Sequence, residues 1–204
     1  MSTRAAAIHR GLILERFTVA WNLLEAAVAL VSGAMAGSIA LIGFGLDSLI
    51  ESSSGGVLLW RLHVDHDQQR RERAERRALH FVGWSLLLLA AYVAAESIVS
   101  LVRREAPERS LPGIGLAIAS LIAMPLLARA KRRVASALGS SALQADSLQT
   151  DICAYLAAIL LLGLFFNFTF GWWADPVAGL VMVPLIAYEG SEALRGKTCC
   201  QDCR

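Results

Sequence analysis

Apolar blocks of about twenty residues or more follow one another along the chain, separated by short polar or charged breaks. A helix that crosses a bilayer needs about 20 largely apolar residues. On that measure the pattern predicts helix one over Leu12–Ala36, helix two over Ser38–Leu62 and helix three over Ala78–Val102. The second half predicts helix four over Pro112–Ala130, helix five over Val134–Phe168 and helix six over Asp175–Leu194. Helix five has a polar start and is long enough to protrude from the membrane. An echo between Asp47-Ser-Leu-Ile-Glu51 and Asp146-Ser-Leu-Gln-Thr-Asp151 is the only hint of internal repetition, and it reads as well as shared chemistry as shared ancestry.

Composition agrees with the pattern. A chain of 204 residues that is 56% hydrophobic, with mean hydropathy +0.54, is too apolar for an ordinary soluble domain. The expected fold class is all-α: a polytopic membrane protein, a six-transmembrane-helix bundle over residues 1–194 with a short cytoplasmic tail over 195–204. The net charge of +2 does not point to nucleic acid, and no such partner is expected; the placement of the charges is more informative. Arg61 to Arg77 contains six arginines, and Lys131, Arg132 and Arg133 follow helix four, whereas the links after helices one and five carry none. By the positive-inside rule both termini are cytoplasmic, with Arg103, Arg104 and Arg109 after helix three dissenting. The basic start, Met1 to Arg10, runs into a full span without a small-residue cleavage site, so the first span is expected to stay. Cys153 falls inside a predicted helix and Cys199, Cys200 and Cys203 crowd the tail, which is no disulfide framework.

The chemistry concentrates on acids inside the apolar blocks. A charged side chain at the bilayer centre costs at least about 2.5–3.5 kcal/mol, so it needs a partner, a water-filled cavity or a metal. Asp47 and Glu51 are four residues apart and share one helical face, one turn from each other, with Ser54 continuing the stripe. Helix five carries Gln144, Asp146, Ser147, Thr150 and Asp151 on one polar sector. If helices two and five pack together, their carboxylates converge, and Gly43, Gly45, Gly55 and Gly56 would let a neighbouring backbone come close. The acids could serve as metal ligands, as proton relays or as partners of arginine. No Lys or Arg is expected inside any span except Arg16 near the start of helix one, so neutralisation from outside, by a metal or a proton, is the expectation. Asn22, Glu25 and Glu96 are expected to brace helix contacts, with a proton path as the other reading of the two glutamates.

These residues are where a family likeness enters. The run from Asn22 to Glu51, with Gly33, Gly37, Ser38-Ile-Ala-Leu and Gly45-Leu-Asp47-Ser-Leu-Ile-Glu51, is similar to the first two helices of cation diffusion facilitators. Asp151, and then Trp173-Ala-Asp175-Pro176 opening helix six, extend the resemblance over essentially the whole chain. The likeness implies a carrier rather than an enzyme, without a permanent cofactor, exporting a divalent metal, Zn²⁺ first, in exchange for protons. It also implies a homodimer in the lipid bilayer, here read as a bacterial inner membrane, and a metal site drawing on Asp47, Glu51, Asp151, Asp146 and Ser147. Three departures stand out. The helix-two pair is Asp then Glu rather than two aspartates. Ser147 stands four residues before Asp151 where zinc-selective members have histidine, with Asp146 beside it. The family's usual cytoplasmic domain after helix six is not seen, so the chain resembles a short form. An all-oxygen site would suit Mn²⁺ or Fe²⁺ as readily as Zn²⁺.

Two peripheral clusters complete the inventory. His63, Asp65, His66 and Asp67 follow helix two and read either as a peripheral metal site or as a solvated loop whose acids offset the arginines nearby. The Cys199–Cys203 spacing reads either as a metal collector or as a dispensable tail. Arg70 to Arg77 reads as a topology anchor that meets lipid headgroups, and Gly33-x-x-x-Gly37 as a packing face. Two other classes compete with a carrier. An intramembrane aspartyl protease would need Tyr-Asp and Gly-x-Gly-Asp motifs, which are missing. A membrane metal sensor would bind metal without moving it.

Overall fold

The computed structural model describes residues 3–63, 68–104, 108, 110–139, 141–169 and 171–195. They form α1 (Thr3–Ala36), α2 (Ile39–His63), α3 (Gln68–Arg103), α4 (Leu111–Leu138), α5 (Ser141–Thr169) and α6 (Ala174–Arg195), with no strand among the described residues. The molecule is an all-α polytopic membrane protein. Five of the six helices are long and apolar enough to cross a bilayer. The exception, α2, is diluted by Asp47, Glu51 and the serines that follow them.

The helices pack as a closed ring in the order α1, α4, α5, α6, α3, α2, and α2 also reaches across to α5 and α6. Helices two and five therefore do pack on each other. The interior holds Leu41, Phe44, Leu86, Val93, Met124, Leu156, Leu160, Met182 and Ile186. The outer surface is also apolar, with Leu24, Val31, Phe81, Leu88, Ile122, Phe165 and Val181 exposed, as a lipid-facing bundle requires.

Several boundaries differ from the sequence reading. Charge was expected to end helix four at Ala130, but α4 continues through Lys131, Arg132 and Arg133 to Leu138 and stops at Gly139. Lys and Arg are good helix formers. What ends the helix is Gly139 in the left-handed conformation, φ 61°, its N–H bonded to the carbonyls of Ala135 and Ser136. Helix five accordingly starts at Ser141, not Val134, and α3 begins ten residues early, inside the arginine-rich stretch.

Small residues set the helix spacing. A Cβ on Gly83 would lie 2.8 Å from the carbonyl oxygen of Gly190, so α3 and α6 touch backbone to backbone. Gly43 faces α3, while Gly45 and Gly55 face α1, and nothing approaches Gly56. The helix-two glycines thus admit α1 and α3 rather than α5. Gly33 does pack against α2, but Gly37, at φ 66°, makes the α1–α2 turn and is not part of a packing face.

One carboxylate ties the two halves of the chain. Asp175, in the first turn of α6, accepts hydrogen bonds from the Ser38 hydroxyl and from the Ile39 N–H at 2.9 Å, while Ser38 Oγ accepts from Leu41 N–H at 3.1 Å. The free N–H groups at the start of α2 are satisfied from α6, with Asp175 and Ser38 both buried. Asp175→Ala should destabilise the bundle by about 1.5–3 kcal/mol, the worth of charge-assisted hydrogen bonds. The check is thermal melting of the purified protein in detergent, with Asp175→Asn retaining part of the loss.

Candidate metal site

A polar stripe runs up one face of α1. Glu15, Thr18, Asn22 and Glu25 recur at three- and four-residue intervals, so they share the face that looks into the ring, and all four are buried. On α2 the same depth is lined by Asp47, Ser48, Glu51 and Ser52, also buried. The close α1–α2 packing at Gly45 and Gly55 brings the two polar faces together.

Glu25 is the best connected of these acids. It accepts from Trp21 Nε1 at 2.8 Å, from Ser48 Oγ of α2 at 3.3 Å and from Ser120 Oγ of α4, with the Cys153 sulfur of α5 at 4.0 Å. It braces four helices, as expected of it. Asn22 does not brace: among the described residues neither its Oδ1 nor its Nδ2 has a hydrogen-bond partner, although the residue is fully buried. Glu96 lies on the exposed outer side of α3, so the bracing expected of it within the bundle fails.

Asp47 and Glu51 stand one turn apart and interact electrostatically with each other and with Glu25. Glu189, a partly buried residue of α6, joins the same field. The Cys153 thiol, buried on α5, lies in the field of the same four carboxylates. Among the described residues neither Asp47 nor Glu51 is in an ion pair, and Glu51 Oε1 has no hydrogen-bond partner. Acids gathered this way in low dielectric repel unless protons or a cation intervene. Among the described residues no three His, Cys, Asp or Glu side chains stand close enough to enclose one ion.

The helix-five residues are engaged elsewhere. Asp146 is ion-paired with Lys131, whose Nζ also lies 3.3 Å from Thr150 Oγ1 and 3.4 Å from Glu15 Oε1. The expectation that the spans hold no internal cation is thus overturned. Lys131 is fully buried, because α4 continues past its apolar block and carries the lysine into the bundle. Asp151 pairs with Arg132 on a partly exposed flank. Ser147 is buried and donates to the Gln144 carbonyl of its own helix at 2.6 Å. Of the peripheral cluster, His63 is the last residue of α2, and Asp65, His66 and Asp67 lie outside the described residues, as do Cys199, Cys200 and Cys203.

Three participants escape a reading of apolar blocks: Glu15, Lys131 and Glu189. Glu15 was legible, seven residues before Asn22 and ten before Glu25 on one helical face. Lys131 and Glu189 were not, since each sits toward the end of its helix, where charge reads as solvent-exposed.

No curated protein matches the chain significantly. The cation efflux transmembrane domain family matches residues 16–197, which takes in α2 to α6, most of α1 and every buried acid described above except Glu15. The chain therefore belongs to the cation efflux family, the cation diffusion facilitators, whose members carry divalent metal cations across membranes and are not enzymes.

Proposed function

We propose that the protein exports a divalent metal, Zn²⁺ first, from the cytoplasm in exchange for protons, working as a homodimer in a bacterial inner membrane with both termini cytoplasmic. The observation that carries this is the buried pair Asp47 and Glu51, one turn apart in the centre of the ring and without an ion-pair partner among the described residues. Metal ligation needs ionised carboxylates, so metal and protons compete for the same oxygens, and that competition is the coupling. Asp47 and Glu51 supply the first ligands. Helix five completes the site from Asp151 and one of Asp146 or Ser147 once its present contacts open.

Alternation follows from the architecture. A metal enters with the path open to the cytoplasm, the helices rock around the acids, and returning protons release the metal on the far side. With no histidine among these donors, the second reading is a carrier of Mn²⁺ or Fe²⁺, which an all-oxygen site suits as readily as Zn²⁺.

Reconstitution in liposomes with a pH gradient and a panel of divalent metals tests these assignments. Asp47→Ala should reduce uptake to the level of empty liposomes while the protein remains folded, and full transport by this variant would sink the proposed site. For the helix-five ligand, Asp146→Ala and Ser147→Ala are compared by metal binding, and the substitution that leaves affinity intact excludes its residue. Binding without counterflow of labelled metal would make the protein a sensor instead.

A further inference from the structure

Lys131 is the least expected residue in the bundle. Its side chain is fully buried, a position at which an ammonium loses several kcal/mol of hydration unless partners repay it. Three are present: Asp146 in direct contact, Thr150 Oγ1 at 3.3 Å and Glu15 Oε1 at 3.4 Å. Each comes from another helix, Glu15 from α1 and the other two from α5. With both acids ionised, the triad carries one ammonium against two carboxylates and retains an excess negative charge. It also adjoins the proposed metal site: a Cβ on Gly55, one turn after Glu51 on α2, would lie 3.8 Å from Glu15 Oε2, and Glu51 interacts electrostatically with both Lys131 and Asp146.

The next residue, Arg132, takes the other helix-five acid, Asp151. Two neighbouring cations of α4 thus hold both carboxylates that helix five could offer a metal. A passive clamp between helices would not need its charge placed against the ligands of the cargo.

We infer that Lys131 is the carrier's resident counter-ion: a tethered cation that balances the acids of α1 and α5 in the metal-free protein and that an arriving divalent metal must displace. It is a positioning residue, acting through Asp146 and through its field at Glu51 rather than by touching the metal. Its consequence is a lowered metal affinity and a faster release, because the ammonium returns to Asp146 as the metal leaves. The inference rests on the reading of Asp47 and Glu51 as metal ligands.

The test uses the full-length protein in lipid nanodiscs for Zn²⁺ titration and in liposomes for the rate of uptake. Lys131→Gln should bind Zn²⁺ about tenfold more tightly or better, since a unit charge is removed from beside a divalent ion in low dielectric, and should turn over more slowly. Lys131→Arg, which keeps the charge, should bind as the unaltered protein does. A clamp predicts the opposite for Lys131→Gln, weaker binding together with slower transport. Should Lys131→Gln not fold, Glu15→Gln serves, because Gln keeps the shape of Glu15 and removes only the charge that faces Lys131. It leaves the ammonium less balanced and should weaken Zn²⁺ binding. Unaltered protein that binds no divalent metal overturns the metal reading itself. Unaltered protein that binds and transports, with Lys131→Gln or Glu15→Gln of unchanged affinity, overturns this inference alone.

Discussion

A carboxylate inside a lipid-embedded bundle must find a positive charge, a proton or water, because the surroundings offer almost no dielectric screening. This protein buries Glu15, Glu25, Asp47, Glu51, Asp146 and Asp175, and treats them in four ways. Asp175 is spent on backbone N–H groups at the start of α2. Glu25 is held by hydroxyl and indole donors from three helices. Asp146 and Glu15 share Lys131, while Asp47 and Glu51 have no ion-pair partner among the described residues. The last pair is thus where the proposed exchange of metal and protons is centred.

The remainder of the fold serves that arrangement. Within the ring α2, which carries Asp47 and Glu51, packs on α1 and α3 and reaches across to α5 and α6. Glycines at helix contacts bring α1 and α3 close to α2, so that acids on different helices fall within each other's field. The apolar outer surface, which would be a liability in water, faces lipid at no cost. Asp175 and Ser38 pin α2 to α6 at one end of the bundle, while Lys131 joins α1, α4 and α5 toward the other. Between those two fastenings lies the polar centre.

Much of this was readable from the order of residues, because helix length and hydropathy are local properties. The six blocks, the shared face of Asp47 and Glu51, and the polar sector of helix five all follow from spacing alone. The errors came from treating charge as a boundary signal. Lys131 looks like the start of a loop, yet a helix ends where its backbone is stopped, and that stop is Gly139. Similarly, Gly37 reads as half of a packing motif, but its positive φ makes it a turn.

What the sequence determined by itself is therefore the class of molecule and the kind of chemistry. Runs of apolar residues dictate a membrane bundle, and acids within them dictate that something cationic or a proton must be accommodated. What only the tertiary structure decided is which charge answers which. Ion pairing depends on distances between helices far apart in the chain, and no periodicity along one helix reveals that Lys131 of α4 reaches Asp146 of α5 and Glu15 of α1 while leaving the helix-two pair without an ion pair among the described residues.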